Sequence, residues 1–265
     1  MIRTVLALMV VVALTSPARA QSETEIDADR PHVGTGMHVV PFGEVQFELG
    51  GQALRFATRT ASASPVLMRV GLGGRVEGRF ATDGLLVDSM DGANDVNLAN
   101  AQASAKIRLF GDVDESWLSV LPAFTFVAND PSVTLLAGAA LTARAHVEAN
   151  YGIGSISNGG ERFAQHLVTG AVTHATTRTL TTYAEAAWWS RQDARGGAVS
   201  FIDSGVIFAA TPRVLVDAGA LVGLTDDTAD YGIFTGVSFL LGTPRGAPRT
   251  ARAATSVFRG DLSQD

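Results

Sequence analysis

The chain has no cysteine among its 265 residues, so disulfide staples and thiolate metal ligands are excluded. Charge is scarce as well: 17% of the residues are charged against 46% hydrophobic. Despite that apolar content, no uninterrupted run beyond residue 20 approaches the roughly 20 residues that a membrane helix requires. A helical membrane protein is therefore not indicated. Basic surplus is also missing. The formal net charge is −6, the wrong sign to attract a phosphate backbone, so nucleic acid is not an expected partner.

What is present begins with "MIRTVLALMVVVALTSPARA" at residues 1–20. Arg3 supplies the positive end, Val5 to Leu14 the apolar centre and Ala18-Arg19-Ala20 the small-x-small cleavage site of an export signal. The apolar centre is too short to remain as a spanning anchor. Export without cysteine suits a bacterial envelope protein whose mature chain starts at Gln21.

Past the signal, one pattern recurs. Segments of about nine to thirteen residues alternate apolar with polar or small side chains, and clusters of Gly, Asp, Asn, Pro or Ser separate them. In "VPFGEVQFELG" (40–50), Val45, Phe47 and Leu49 fall on one side of an extended chain and Glu44, Gln46 and Glu48 on the other. After this first strand, others are expected at 65–73, 75–82, 100–110, 116–127, 132–141, 143–153, 162–174, 179–190, 197–209, 213–224 and 231–241. That makes about twelve. Alternate connections are long and polar, such as "TDGLLVDSMDGANDVNLA" and "RQDARG", while those between are short, such as "GG" at 73–74 and "ATP" at 210–212.

Strands of this length match the 9 to 11 residues that cross a bilayer at a tilt, whereas strands of water-soluble proteins are usually nearer five or six. Long loops at one end and short turns at the other are the habit of a transmembrane barrel, with the short turns in the periplasm. The expected fold is all-β: an up-and-down antiparallel barrel over 44–241, preceded by a periplasmic lead-in or plug (21–43) and followed by a flexible tail (242–265). Lipid would face Val45, Phe47 and Leu49. Aromatic girdles are expected from Tyr151, Trp188 and Tyr231 at one rim and Phe110, Trp117, Phe208 and Phe239 at the other.

At the N-terminal end the residues resemble a family. "EIDADRPHVGTGMHVVPFGEVQFELGG" is similar to the opening of Gram-negative outer-membrane proteins associated with the meta-pathway of phenol degradation. In them an Asp-Arg-Pro triplet and a Val-Pro-x-Gly step lead into a first strand of the type Gln-x-Glu-x-Gly. Here these are Asp29, Arg30, Pro31, Pro41, Gly43, Gln46, Glu48 and Gly50. "LMRVGLGGRVEGRF" resembles the family's second hairpin, with Gly73-Gly74 where Thr-Asp is usual, and residues 212–242 resemble its closing hairpin. The resemblance implies a channel or transporter for small molecules, hydrophobic or aromatic ones among them, with no catalytic residue.

A twelve-strand barrel has a narrow interior that side chains can close. The lumen-lining candidates are Glu44, Gln46, Glu48, Arg69, Arg75, Glu77, Arg79, Lys106, Arg108, Arg144, His146, Glu148, Glu185, Asp203 and Asp217. Arg69, Arg75, Arg79, Lys106 and Arg108 crowd strands two to four, and Glu185 and Asp203 stand on the opposite wall. Two arrangements follow: a transverse field across an open lumen, or charges paired into a plug. Asp83, Asp88, Asp91 and Asp95, with Asp226, Asp227 and Asp230, sit in outer loops where cations could bridge to lipopolysaccharide. "DGANDVN" lacks a calcium loop's ligand spacing, and His146, His166 and His174 form no zinc motif. No metal, cofactor or enzymatic activity is expected. The expected partners are outer-membrane lipid and lipopolysaccharide, the barrel-assembly machinery and small solutes. The alternative is a closed structural or interaction barrel.

Overall fold

The computed structural model describes residues 26–111, 116–158 and 160–242. The expected export signal and the tail beyond residue 242 lie outside them. The described residues form fifteen strands and no helix: β1 (Glu44–Arg55), β2 (Arg59–Ala63), β3 (Val66–Gly73), β4 (Val76–Thr82), β5 (Leu85–Met90), β6 (Ala93–Leu98), β7 (Ala101–Phe110) and β8 (Ser116–Thr125), then β9 (Asp130–Ala140), β10 (Ala145–Asn158), β11 (Glu161–Ala175), β12 (Leu180–Trp189), β13 (Val199–Thr211), β14 (Val214–Gly223) and β15 (Tyr231–Gly242).

Twelve of these close a barrel. β1 pairs with β3, β3 with β4, β4 with β7, and each strand from β7 to β15 with the next, all antiparallel. β15 then returns to β1, in register from Glu44↔Gly242 to Arg55↔Tyr231. Closure matters because an open edge in hydrocarbon would leave N–H and C=O groups without partners.

β2, β5 and β6 stand outside this count. β2 runs on from β3 across Ser64-Pro65, β5 continues β4 across Asp83-Gly84, and β6 leads into β7, so barrel strands two to four extend as a small sheet above the wall. The stretches expected as loops after the first and third strands are therefore largely β-structure. The first tight turn falls at Gly74-Arg75 instead of Gly73-Gly74.

The distribution of polarity is inverted relative to a water-soluble sandwich. Arg69, Lys106, Gln46, Glu44, Glu48 and Glu77 are among the largest fully buried side chains, while Ile233, Val222, Leu135, Val172 and Val168 are exposed on the outer wall. A polar interior within an apolar coat is stable only when hydrocarbon is the solvent outside. Of the expected girdle, Tyr151, Trp188, Tyr231, Phe110 and Phe208 are exposed, and Phe239 stacks on Phe47 across the closing seam, centroids 5.5 Å apart. Trp117 departs from the expectation. It points inward, 3% exposed, against Met37 and Leu136. Tyr151 lies mid-strand, because β10 extends to Asn158.

Candidate functional site

The lumen is occupied by the chain's own N-terminal segment. Residues 26–43 rise from the short-turn end, reach an apex near Val33, Gly34 and Thr35, and return to β1. At the base, Ile26, Ala28 and Val40 pack on Leu215 and Leu240. Higher up, both legs meet Arg69, which donates from Nη1 to the Asp27 carbonyl at 3.0 Å and from Nη2 to the His38 carbonyl at 2.7 Å. Across the legs, His38 Nε2 lies 3.1 Å from an Asp27 carboxylate oxygen.

Ion pairs hold this loop to one wall. Asp29 Oδ2 accepts from Arg79 at 2.5 Å, and its Oδ1 lies 3.4 Å from Lys106 Nζ and 3.6 Å from Arg69 Nη1. Arg69 also reaches Glu77 at 3.0 Å and Glu48 at 3.1 Å. Lys106 donates to the Gly36 and His38 carbonyls at 3.0 and 2.8 Å. Three cations and three carboxylates, one of them the segment's own, thus balance in a space that excludes water. Such balance is required, since a buried charge without a partner costs several kcal/mol. Burial opposes ionisation of Asp29, but the charges of Arg69, Lys106 and Arg79 outweigh it and hold the carboxyl well below its ordinary range.

The opposite wall holds the loop by different means. Glu185 accepts from the backbone N–H groups of Val33 and Gly34 at 2.7 and 2.8 Å. Between the two walls, at the closing seam, Asp217 pairs with Arg30 Nη2 at 3.3 Å, and the same nitrogen donates to the Thr235 carbonyl at 3.0 Å. Gly50 and Gly236, directly opposed on β1 and β15, form the slot for this guanidinium, and a Cβ on either would overlap it. Glu48 closes the contact by accepting from the Asp29 and Arg30 amides at 3.2 and 2.9 Å.

Of the sequence-nominated residues, the structure brings Glu48, Arg69, Glu77, Arg79 and Lys106 into one cluster with Asp29. Glu185 engages the same segment from across the barrel, and Asp217 engages it from beside the closing seam. Asp203 is buried beside Glu185 on the neighbouring strand. Glu148 is buried facing Gly36, and Arg108 Nη2 lies 3.5 Å from the Met37 carbonyl. Glu44 sits at the base on Arg213 Nη2 at 2.6 Å, and Gln46 bridges the Asp27 carbonyl and Glu48. His146 is half-buried on the inward row of β10.

One candidate leaves the group: Arg75 belongs to an exposed turn and donates to the Leu109 carbonyl, because a turn at a barrel's rim breaks the alternation on which its inward placement rested. Arg144 falls in the turn before β10, half-buried, with its Nε shielded from solvent. Pro31 follows a cis Arg30-Pro31 bond, and the Pro41 carbonyl accepts from the Glu44 amide at 3.1 Å beside Gly43. His166 and His174 face outward on β11, away from His146, and among the described residues no three acidic or histidine side chains converge to hold a metal.

Sequence reasoning missed the apex amides, Arg213, and Met37 with its apolar seat. It also missed the chamber on the long-loop side of the apex, a cavity of about 270 Å³. Val33, Gly34 and Thr35 form its floor, and Gln102, Leu121, Ser132, Thr134, Ile156 and Gln165 are among its walls. Period-two alternation marks all six wall residues as inward, but nothing local distinguishes a wall that faces space from one that faces the segment.

No family model matches the chain and no curated protein matches it, so the meta-pathway resemblance of its first, second and closing hairpins is not confirmed. Solved structures do match. An outer membrane channel from Pseudomonas putida F1 superposes with a TM-score of 0.59 at 10% identity, over 82% of this chain and 100% of the other. The NanC porin gives 0.55 at 13% identity, covering 73% and 98%. The KdgM porin in complex with disordered oligogalacturonate gives 0.50 at 10%, covering 74% and 98%. At such identity the likeness is one of fold. The fold defines the class: this is a twelve-stranded β-barrel protein of the outer membrane. In barrels of that class the short turns commonly face the periplasm.

Proposed function

We propose that the protein is a gated outer-membrane channel for small solutes, closed at rest by residues 26–43. One observation carries the reading: the segment is fixed mainly by ion pairs and single hydrogen bonds to the walls, contacts that can be exchanged for water. A structural core would be sealed with apolar packing throughout, whereas here such packing is confined to the base around Ile26 and Val40 and to the seat of Met37. Opening consists of withdrawal of the apex toward the periplasm, which joins the outer chamber to the other side. In this reading lipid and lipopolysaccharide cover the apolar wall, the assembly machinery inserts the barrel, and the protein's work is passage of solutes without chemical change. The hydrophobic or aromatic cargo implied by the N-terminal resemblance remains one candidate class.

Planar bilayers test it. The mature chain is expected to be mostly silent with brief openings, and Asp29→Asn, which leaves the cluster one positive charge in excess, is expected to raise the open fraction about 100-fold. That figure follows from the roughly 3 kcal/mol or more lost when a buried pair is broken. A correctly inserted Asp29→Asn barrel that stays silent would instead make this a closed structural barrel.

A further inference from the structure

The outer chamber has a chemistry of its own. None of its lining residues carries a charge: Asp, Glu, Lys, Arg and His are all absent from its walls and floor. This is unexpected in a lumen whose lower part is built on Asp29, Arg69, Glu77, Arg79, Lys106 and Glu185. Two charges near the chamber are already engaged. Glu185 is held by the two apex amides, and Asp130 pairs with Arg162 at 3.3 Å.

The polar groups that remain are neutral and of complementary kinds. Ser132 and Thr134 project from one row of β9, and their hydroxyls make no hydrogen bond within the described residues, which leaves them as donors or acceptors for a guest. Gln102 and Gln165 each commit Nε2, to Thr125 Oγ1 at 3.3 Å and to the Arg191 carbonyl at 2.6 Å, so their Oε1 atoms are left as acceptors. Leu121 and Ile156 supply apolar surface between these groups. At about 270 Å³ the space lies just under the range of pockets for drug-sized ligands, about 300 to 1,000 Å³. The guest is therefore smaller than those.

We propose that the chamber is a binding site for a small uncharged solute bearing several hydroxyl groups, of monosaccharide size. Hydroxyls of such a guest donate to the carboxamide oxygens of Gln102 and Gln165 and accept from Ser132 and Thr134, while its C–H faces lie on Leu121 and Ile156. A carboxylate on the same frame would be desolvated with no cation to receive it. A purely apolar guest would leave these polar side chains, with Thr35 and Asn150 of the same lining, stripped of water without replacement. The site rests on the channel reading, since it lies on the solute's path, and adds selection to it: neutral hydroxylated solutes dwell above the closed segment while anions are turned away.

Because binding precedes passage, it is measured without current. Glucose, glucuronate and toluene would be titrated against the detergent-solubilised full mature chain by saturation-transfer NMR, alongside a Gln102→Leu/Gln165→Leu variant checked for its heat-modifiable gel mobility. Saturable glucose binding in the millimolar range is expected, at least tenfold weaker in the variant, with glucuronate at least tenfold weaker than glucose. The proposal is overturned by glucuronate binding as well as glucose, by toluene binding more tightly and indifferently to the glutamine substitutions, or by glucose showing no saturable binding. A barrel that binds glucose but never conducts would overturn the channel reading and leave the binding site standing.

Discussion

Asp29 and Arg30 are adjacent in the chain yet reach different parts of the wall, one to Arg69, Arg79 and Lys106, the other to Asp217 beside the closing seam. The Arg30 contact depends on what Gly50 and Gly236 lack. Gly236→Val should expel the guanidinium from its slot, leave Asp217 unpaired and raise the open fraction at least tenfold in bilayers, while the barrel still folds. Unchanged gating with the variant barrel inserted would show that the Arg30 contact is incidental. His32, two residues on, brings pH into the balance. Its ring meets Tyr183 edge-on with centroids 4.4 Å apart, and burial pushes the imidazole down to about 4, against the pull of Asp27 and Asp29. A withdrawn segment would recover an ordinary value near 6.5. Between pH 6.5 and about 4 the withdrawn state therefore takes up a proton that the seated state refuses, so the seated state is fully stable above pH 6.5 and loses stability as pH falls toward 4. Asp29 adds a second, lower window, because its depressed carboxyl keeps its contribution down to about pH 4 and yields it only below. Openings should become more frequent as pH is lowered from 7 to 4.5, and His32→Phe should flatten that dependence. A wild-type record that does not change over this interval would remove His32 from the gate.

At the scale of elements, the barrel strands were legible because one signal, period-two alternation over a membrane-crossing length, repeats around the ring and each repeat constrains the next. The extension was not. "TDGLLVDSMDGANDVNLA" is so rich in turn residues that it reads as loop, yet Asp91 and Gly92 both have positive φ, 52° and 82°, the requirement of a two-residue hairpin turn. Around them Leu85 and Val87 alternate as Val96 and Leu98 do on the facing strand. Trp117 was misplaced for a different reason. Its row on β8 also holds Ser119 and Leu121, mixed enough to face either way, and only Met37 of the segment explains an apolar patch in a polar lumen. The charges of the site were likewise visible one by one, but their partners were not: Asp29 meets Lys106, 77 residues away, and Arg30 meets Asp217 at 187, separations over which no sequence periodicity speaks. Because Thr82 and Ala101 are already paired across β4 and β7, replacing residues 83–100 with a tight two-residue turn should leave the barrel folded, with its unboiled and boiled gel positions still distinct. Loss of the folded band would mean that β5 and β6 brace the wall below them.

For the whole molecule, the proposed gating would make the two arrangements anticipated for the lumen charges the two states of one device. With the segment seated, Asp29 neutralises the wall of Arg69, Arg79 and Lys106, while Arg30 and the Val33 and Gly34 amides satisfy Asp217 and Glu185. With it withdrawn, the first wall keeps three cations against Glu48 and Glu77, and the second keeps unpaired carboxylates. A transverse field then exists only when the channel is open, and the order Asp29-Arg30 is what lets the segment seat in a single orientation. Exchanging the pair, Asp29→Arg with Arg30→Asp, conserves composition and net charge but sets like charge against like on both walls, where each mismatch costs several kcal/mol in a dry interior. The exchanged chain should insert and conduct persistently, and restoring Asp29 alone on that background should recover part of the closure. A closed exchanged channel would mean that the segment is held by its apolar base and apex amides, and that its charges merely follow.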